Sequence, residues 1–277
     1  MKYAHLFRIG LYTIGIFGVV FRSVDKAYLY LFKKPLFIHF YLRKKKLTEL
    51  QKDILERENS FYGNLNNLDK LYFEHRLVRF IERYDLIGRD GYVVTDYSCV
   101  MIGSVYVMMT FGMRNYLTNV FSKIIIYPKV FFSTTNKRIH KGEFNPMHKI
   151  VVFSWNDFLK GVDIKNDNLH LGIHEFAHVL TIHAEQSNDS GASIFSDGLD
   201  ELVNYLSVEK NMTHIRNLGY IRAYAFTNSF EFIAVLLEYF FESPEVFKRI
   251  LPEVYQIIIR MLNFKYKRRF SVKELSL

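Results

Sequence analysis

Cysteine is almost absent from this chain. Cys99 is the only one in 277 residues, so no intramolecular disulfide can form and a cysteine-rich zinc site is excluded. A single thiol also suits a reducing compartment. The N-terminal apolar stretch, residues 9–21 (IGLYTIGIFGVVF), is short of the roughly 20 residues that a helix needs to cross a bilayer. No small-residue cleavage pattern follows it, which argues against a removable signal peptide. Neither an internal repeat nor a low-complexity tract is present. Net positive charge is missing from the middle of the chain. The formal net charge is +9, but residues 1–50 carry +8 and residues 260–277 carry +5, which leaves 51–259 at −4. A body of that sign is not built to bind nucleic acid.

What is there begins with two basic ends. Residues 1–46 combine apolar and aromatic stretches (9–21 and 27–42) with Arg22, Lys26, Lys33, Lys34 and Arg43 to Lys46. Basic residues beside aromatics suit an anionic membrane surface. The expectation is a cytoplasmic protein attached to the inner face of the membrane through residues 1–46, as an uncleaved anchor or an interfacial helix pair. A helix packed on the domain is the alternative. Residues 47–62 read as helical and Gly63 to Asn67 as a loop. The division is therefore an N-terminal hydrophobic and basic segment, 1–62, and a catalytic domain with a basic tail, 63–277. Within that domain, 68–87 and 96–117 have helical patterns, Tyr92 to Val94 is a short extended piece, and 133–148 is a polar loop. Lys123 to Phe132 (broken by Pro128) and Lys149 to Trp155 read as strands. Helices, strands, then further helices give an α+β class rather than alternating βαβ units.

The most informative stretch is His174-Glu175-Phe176-Ala177-His178. Histidines four apart share one helix face and can bind one metal ion. Glu175, just after the first, is placed to take a proton from a metal-activated water. Leu169, Ile173, Phe176, Ala177 and Leu180 give the segment a buried face, and Asn166 to Asn168 offer helix caps. Catalytic zinc usually takes three protein ligands. A metal histidine six residues beyond the second is excluded, because position 184 is Ala184. His183 is one residue out of register and reads as a surface or supporting histidine. His214 lies in a polar connection. Glu231 and Glu238 are the better candidates. They are the only carboxylates in the run from Asn228 to Phe241, and seven residues apart they point to nearly the same face.

These stretches, taken together, resemble the Mlc titration factor A (MtfA-like) family of zinc-dependent peptidases. The resemblance is carried by Val93 to Asp96, Ile124 to Pro128, Gly142-Glu143, Val151 to Asp157, His174 to His178, Tyr224 with Thr227-Asn228, Glu231 through Phe241, and Pro244-Glu245. It covers roughly residues 65–262. It implies a zincin-like metallopeptidase domain, with the active-site helix beside a small sheet and one Zn2+ per chain held by His174, His178 and Glu231. It also implies Glu175 as general base and Tyr224 as a hydrogen-bond donor to the developing oxyanion. The implied partners are a peptide or protein substrate and a regulatory protein, since the family name points to sequestration of a transcriptional repressor. One departure is local. Leu180 to Glu185 lacks the acidic residue that the family often has soon after the second histidine, and Glu238 is the residue here that could support a ligand histidine.

Overall fold

The computed structural model describes residues 2–133, 137–164 and 166–265. Residues 134–136 of the expected polar loop and 266–277 of the basic tail lie outside the described residues.

The N-terminal segment is not a helix pair. It is one helix, α1 (Lys2–Phe32), followed by residues 33–48 without regular structure. The second aromatic stretch fails to continue the helix for a local reason. Lys33 adopts φ 51, and Pro35 disfavours helical backbone at the residue before it. Asp25 on α1 accepts two hydrogen bonds from Arg114, at 2.7 and 2.6 Å, which dock the C-terminal part of the helix on the body. Upstream of that clamp, Tyr12, Ile16, Phe17 and Val19 are exposed. Among the described residues no helix is long and apolar enough to cross a membrane.

The following segment is sewn to the body by Arg76. This side chain is fully buried. It donates to Tyr41 Oη at 2.8 Å, to Ile38 O at 3.4 Å, and to Thr110, Phe111 and Met113 carbonyls at 2.9, 3.3 and 2.7 Å. Next come α2 (Glu49–Glu58), opened by a Thr48–Gln51 capping box, and the single turn α3 (Ser60–Gly63), capped by Asn59. The expected continuous 47–62 helix is thus divided at Asn59, whose side chain caps the next turn instead of extending the first. Ile54, Leu55 and Tyr62 are buried in the same core as Phe73 and Leu77, so the core extends across the expected boundary at residue 62.

Helix α4 (Asn67–Arg83) then gives way to a strand, β1 (Asp85–Gly88), where the periodicity had suggested continued helix. Residues 92–94 are not a strand. Helix α5 (Asp96–Met109) stops well short of Leu117, and Met101, Met109 and Met113 fill core space as expected. Strands β2 (Lys123–Tyr127), β3 (Phe131–Phe132), β4 (Ile139–His140), β5 (Gly142–Asn145) and β6 (Ile150–Ser154) follow. The main sheet has the order β1-β2-β6-β5, with β1–β2 and β2–β6 parallel and β5–β6 antiparallel. β3 and β4 form a separate two-stranded ribbon.

The rest is helical: α6 (Trp155–Asp163), α7 (Leu171–Gln186), α8 (Ser190–Ser207), α9 (Glu209–Asn217), a 3-10 turn (Ala223–Thr227), α10 (Ser229–Glu242), α11 (Pro244–Ile250) and α12 (Pro252–Met261). Proline occupies the first position of α11 and α12, where its missing N–H costs nothing. The α+β class holds, as a helix-rich protein with small sheets. Its centre is an aromatic cluster in which Phe176 of α7 lies 5.6 Å from Phe153 of β6 and 5.1 Å from Tyr106 of α5, ring centre to ring centre.

Candidate metal centre

The helix α7 buries Ile173, Phe176, Ala177 and Leu180 in that core, which turns His174 and His178 toward α10. The helix does not begin where the asparagines suggested. Asn166 and Asn168 take left-handed backbone, φ 70 and 59, and belong to the loop. The cap is His170, whose side chain accepts from Ile173 N at 3.3 Å. Glu175, 5 % exposed, lies under the edge strand β5. A Cβ on Gly142 of that strand would come within 2.5 Å of Glu175 Oε1, so the close approach of strand and carboxylate requires glycine here.

Helix α10, capped by Asn228, supplies the third group. His174, His178 and Glu231 offer ligand atoms that all lie within 4.8 Å of one another. Glu231 Oε2 is 3.0 Å from His174 Nε2, and Oε1 is 3.8 Å from His178 Nε2. The two Nε2 atoms face each other at 3.2 Å. Glu231 Oε2 is buried within ion-pair distance of His174 yet has no well-formed hydrogen bond. Two imidazole nitrogens converging with an under-satisfied carboxylate oxygen form a donor set of the kind zinc takes.

The electrostatics agree with a cation at this point. Burial works against a charged His174. Its pairing with Glu231 and its hydrogen bond to Glu238 outweigh it and push the imidazolium up to about 10, so the carboxylates there favour positive charge. Burial, reinforced by charged His174, pulls His178 down to about 4 and keeps its imidazole neutral. Burial raises the Glu231 carboxyl, but its close pairing with His174 overrides this, and the group lies below the ordinary glutamate value. Burial pushes Glu175 up to about 7 against the opposing pull of His174. A carboxyl near neutrality can both take and return a proton.

Glu238, 2 % exposed, does not join the three. It accepts from His174 Nδ1 at 2.7 Å through Oε1 and from His170 N at 2.8 Å through Oε2. Arg222 binds both of its oxygens. One further turn along α10, Glu242 accepts from Leu169 N at 2.9 Å. Glu231, Glu238 and Glu242 therefore form one stripe along the start of α7. Tyr224, in the 3-10 turn, is 51 % exposed. Its ring lies 6.1 Å from that of His174, and burial together with the nearby Glu231 carboxylate raises its hydroxyl pKa.

Two other histidines are placed elsewhere. His183 is buried rather than at the surface, 3.0 Å from both Thr118 Oγ1 and Asp189 Oδ2. His214 is exposed on α9, a helix where a polar connection was expected. Arg222 and Gly142 were not singled out as site residues by sequence reasoning. Arg222 has no local pattern to mark it. Gly142 could have been suspected only from its place among the stretches that carry the family resemblance.

Comparison with known proteins gives the chain a family. The glucose-regulated metallo-peptidase M90 family matches residues 37–262. Proteins described as Mlc titration factor A from Yersinia pestis (strain Pestoides F) and from Yersinia pseudotuberculosis (serotypes O:1b and O:3) are 27 % identical over 157 residues. That region is 50 % of this chain and 57 % of each relative, so the chain spans little more than half the length of the curated relatives it matches. Since the family match takes in the fold from the segment after α1 to the end of α12, with the candidate metal centre inside it, the chain belongs to the glucose-regulated metallo-peptidase M90 family.

Proposed function

We propose that this chain is a zinc-dependent peptidase with a zincin-like catalytic domain. The observation that carries the reading is the convergence of His174, His178 and Glu231 within 4.8 Å, with Glu175 buried beside them. These three residues would hold one zinc ion, which supplies Lewis acidity and brings the pKa of water toward about 7. Glu175 is the general base that accepts the proton of the attacking water and later delivers it to the leaving amine. Tyr224 donates a hydrogen bond to the carbonyl oxygen as it gains charge. The edge of β5, beside Glu175, can hold an extended peptide by main-chain hydrogen bonds.

The test is cleavage of an unbiased peptide mixture, read by mass spectrometry, with wild type beside Glu175→Gln. Cleavage by wild type alone supports the peptidase. Absence of wild-type cleavage despite bound zinc refutes it. Zinc is expected near one per chain and absent from Glu231→Ala. Retention there, with loss in His214→Ala, would transfer the third ligand to His214.

A second reading is favoured by the relatives' name. A titration factor acts by binding, so the chain would capture a regulatory protein and the zinc domain would serve as scaffold. Pull-down of such a partner that survives Glu175→Gln distinguishes this role from proteolysis. The exposed apolar residues of α1 favour a third element of the proposal, attachment to the inner face of the cytoplasmic membrane by residues 1–46. The full chain should sediment with anionic vesicles while residues 47–277 stay in the supernatant. Equal behaviour of the two removes the attachment.

A further inference from the structure

We infer that Arg222 is a positioning residue for the metal centre, acting through Glu238 on the ring of His174. The inference rests on the metal reading of the His174, His178 and Glu231 cluster, and deepens it.

The geometry is a chain of three links. His174 points Nε2 at His178 and Glu231, so its ability to bind a metal depends on how its ring is turned and on which nitrogen carries the proton. Glu238 Oε1, 2.7 Å from Nδ1, fixes both, because a carboxylate accepts only from an Nδ1–H and leaves the Nε2 lone pair free. Glu238 cannot hold that place unaided. It is almost fully buried in an apolar helix, and a buried carboxylate without a counter-charge is strongly disfavoured. Arg222 supplies the counter-charge as a fork, Nη2 to Oε1 at 2.5 Å and Nη1 to Oε2 at 3.2 Å. Such bidentate pairs fix orientation as well as charge.

Arg222 is also tied to its surroundings. Nη1 donates to the Asn168 carbonyl in the loop before α7, and the guanidinium lies 5.9 Å from the centre of the Tyr224 ring. It is the residue immediately before the 3-10 turn that carries Tyr224. One side chain thus ties together the carboxylate that turns His174, the loop that starts the active helix and the turn that presents Tyr224. A lysine in its place keeps the charge but has no fork to span both oxygens and the Asn168 carbonyl.

The experiment is zinc affinity by competition with a chromogenic chelator, on the full chain, for wild type, Glu231→Ala, Arg222→Met, Arg222→Lys, Glu238→Gln and the Arg222→Met/Glu238→Gln double variant. Far-ultraviolet circular dichroism accompanies each as a check of folding. Loss of a group that orients a ligand typically weakens metal binding about 10- to 100-fold. Arg222→Met is expected in that range and Arg222→Lys between it and wild type. The double variant should bind no more weakly than Glu238→Gln alone, because Arg222 acts through Glu238. Wild-type affinity in Arg222→Met or in Arg222→Lys overturns the inference. Losses that multiply in the double variant overturn it too. If Arg222→Met does not fold, the Arg222→Lys result decides. Failure of wild type itself to bind zinc, or equal binding by Glu231→Ala, refutes the metal reading instead.

Discussion

Gly142→Ala tests the proposed catalytic geometry without touching a proposed metal ligand. Gly142 has no left-handed backbone to preserve, so alanine fits the strand conformation. The obstacle is space. The new Cβ would lie 2.5 Å from Glu175 Oε1, 2.9 Å from Glu175 Cδ and 2.7 Å from Leu171 Cδ1. Ordinary contact begins near 3.4 Å, so Glu175 or the β5 backbone must move by about 1 Å. Glu175 is buried and cannot swing into solvent. A displacement of about 1 Å between a catalytic group and its reacting atoms costs on the order of 100-fold in rate, while overpacking at one position costs about 1–3 kcal/mol of stability. The expectation is therefore a variant that folds and holds zinc at the wild-type ratio, with kcat/KM reduced roughly 100-fold. The measurements are hydrolysis of a peptide found in the unbiased screen and metal content of the same preparation. Undiminished activity would refute the reasoning, because it would mean that Glu175 is not the base or that β5 does not constrain it.

Three other perturbations give definite outcomes. Arg76→Met removes the donor shared by three buried carbonyls, the part-buried Ile38 carbonyl and the Tyr41 hydroxyl, so urea denaturation should show a loss of about 3–5 kcal/mol. His39 is stacked on Tyr72 at 4.4 Å, neither ring nitrogen has a hydrogen-bond partner, and burial pulls its pKa down to about 3. The unfolded chain protonates His39 below its ordinary value of about 6.5 while the folded one does not, so stability falls as pH drops from about 6.5 toward 3. His39→Phe should flatten that part of the profile, by ~1–2 kcal/mol at pH 5 in urea titrations. Asp25→Asn breaks the clamp between α1 and Arg114, and limited proteolysis should then cut in residues 33–48 faster than in wild type; an unchanged rate would show that α1 is held by other contacts.

The sequence made the centre of the site legible because metal chemistry imposes spacing. Two histidines four apart on α7 and two glutamates seven apart on α10 are patterns that survive without knowledge of the fold. The apolar strands β2 and β6 were legible for a similar reason, as β-branched runs between polar breaks. The edge strand β5 was hidden. Its sequence, Gly-Glu-Phe-Asn, has no β-branched residue, and its glycine is demanded by Glu175 rather than by strand propensity. β1 was hidden by length, since four residues attached to a helical pattern extend that pattern by eye. The start of α7 was misplaced because asparagine serves both as a cap and as a left-handed loop residue, and only tertiary contacts with Glu238 and Glu242 decide between them. Arg222 is the case least open to sequence reasoning, because its partners lie 16 and 54 positions away.

The carboxylate stripe of α10 has a consequence for what changes this helix tolerates. Glu231, Glu238 and Glu242 recur at intervals of seven and four, close to whole turns of a helix. Each grips a different point on or just before α7: the facing nitrogens of His174 and His178, the other ring nitrogen of His174 with the cap amide, and the amide of Leu169. The two helices are therefore indexed against each other like a rack and pinion. Inserting or deleting one residue between 231 and 238 turns the later carboxylates by about 100° and disengages them together. Substitutions are expected to be tolerated on its other faces, where apolar residues can be exchanged for others of similar volume.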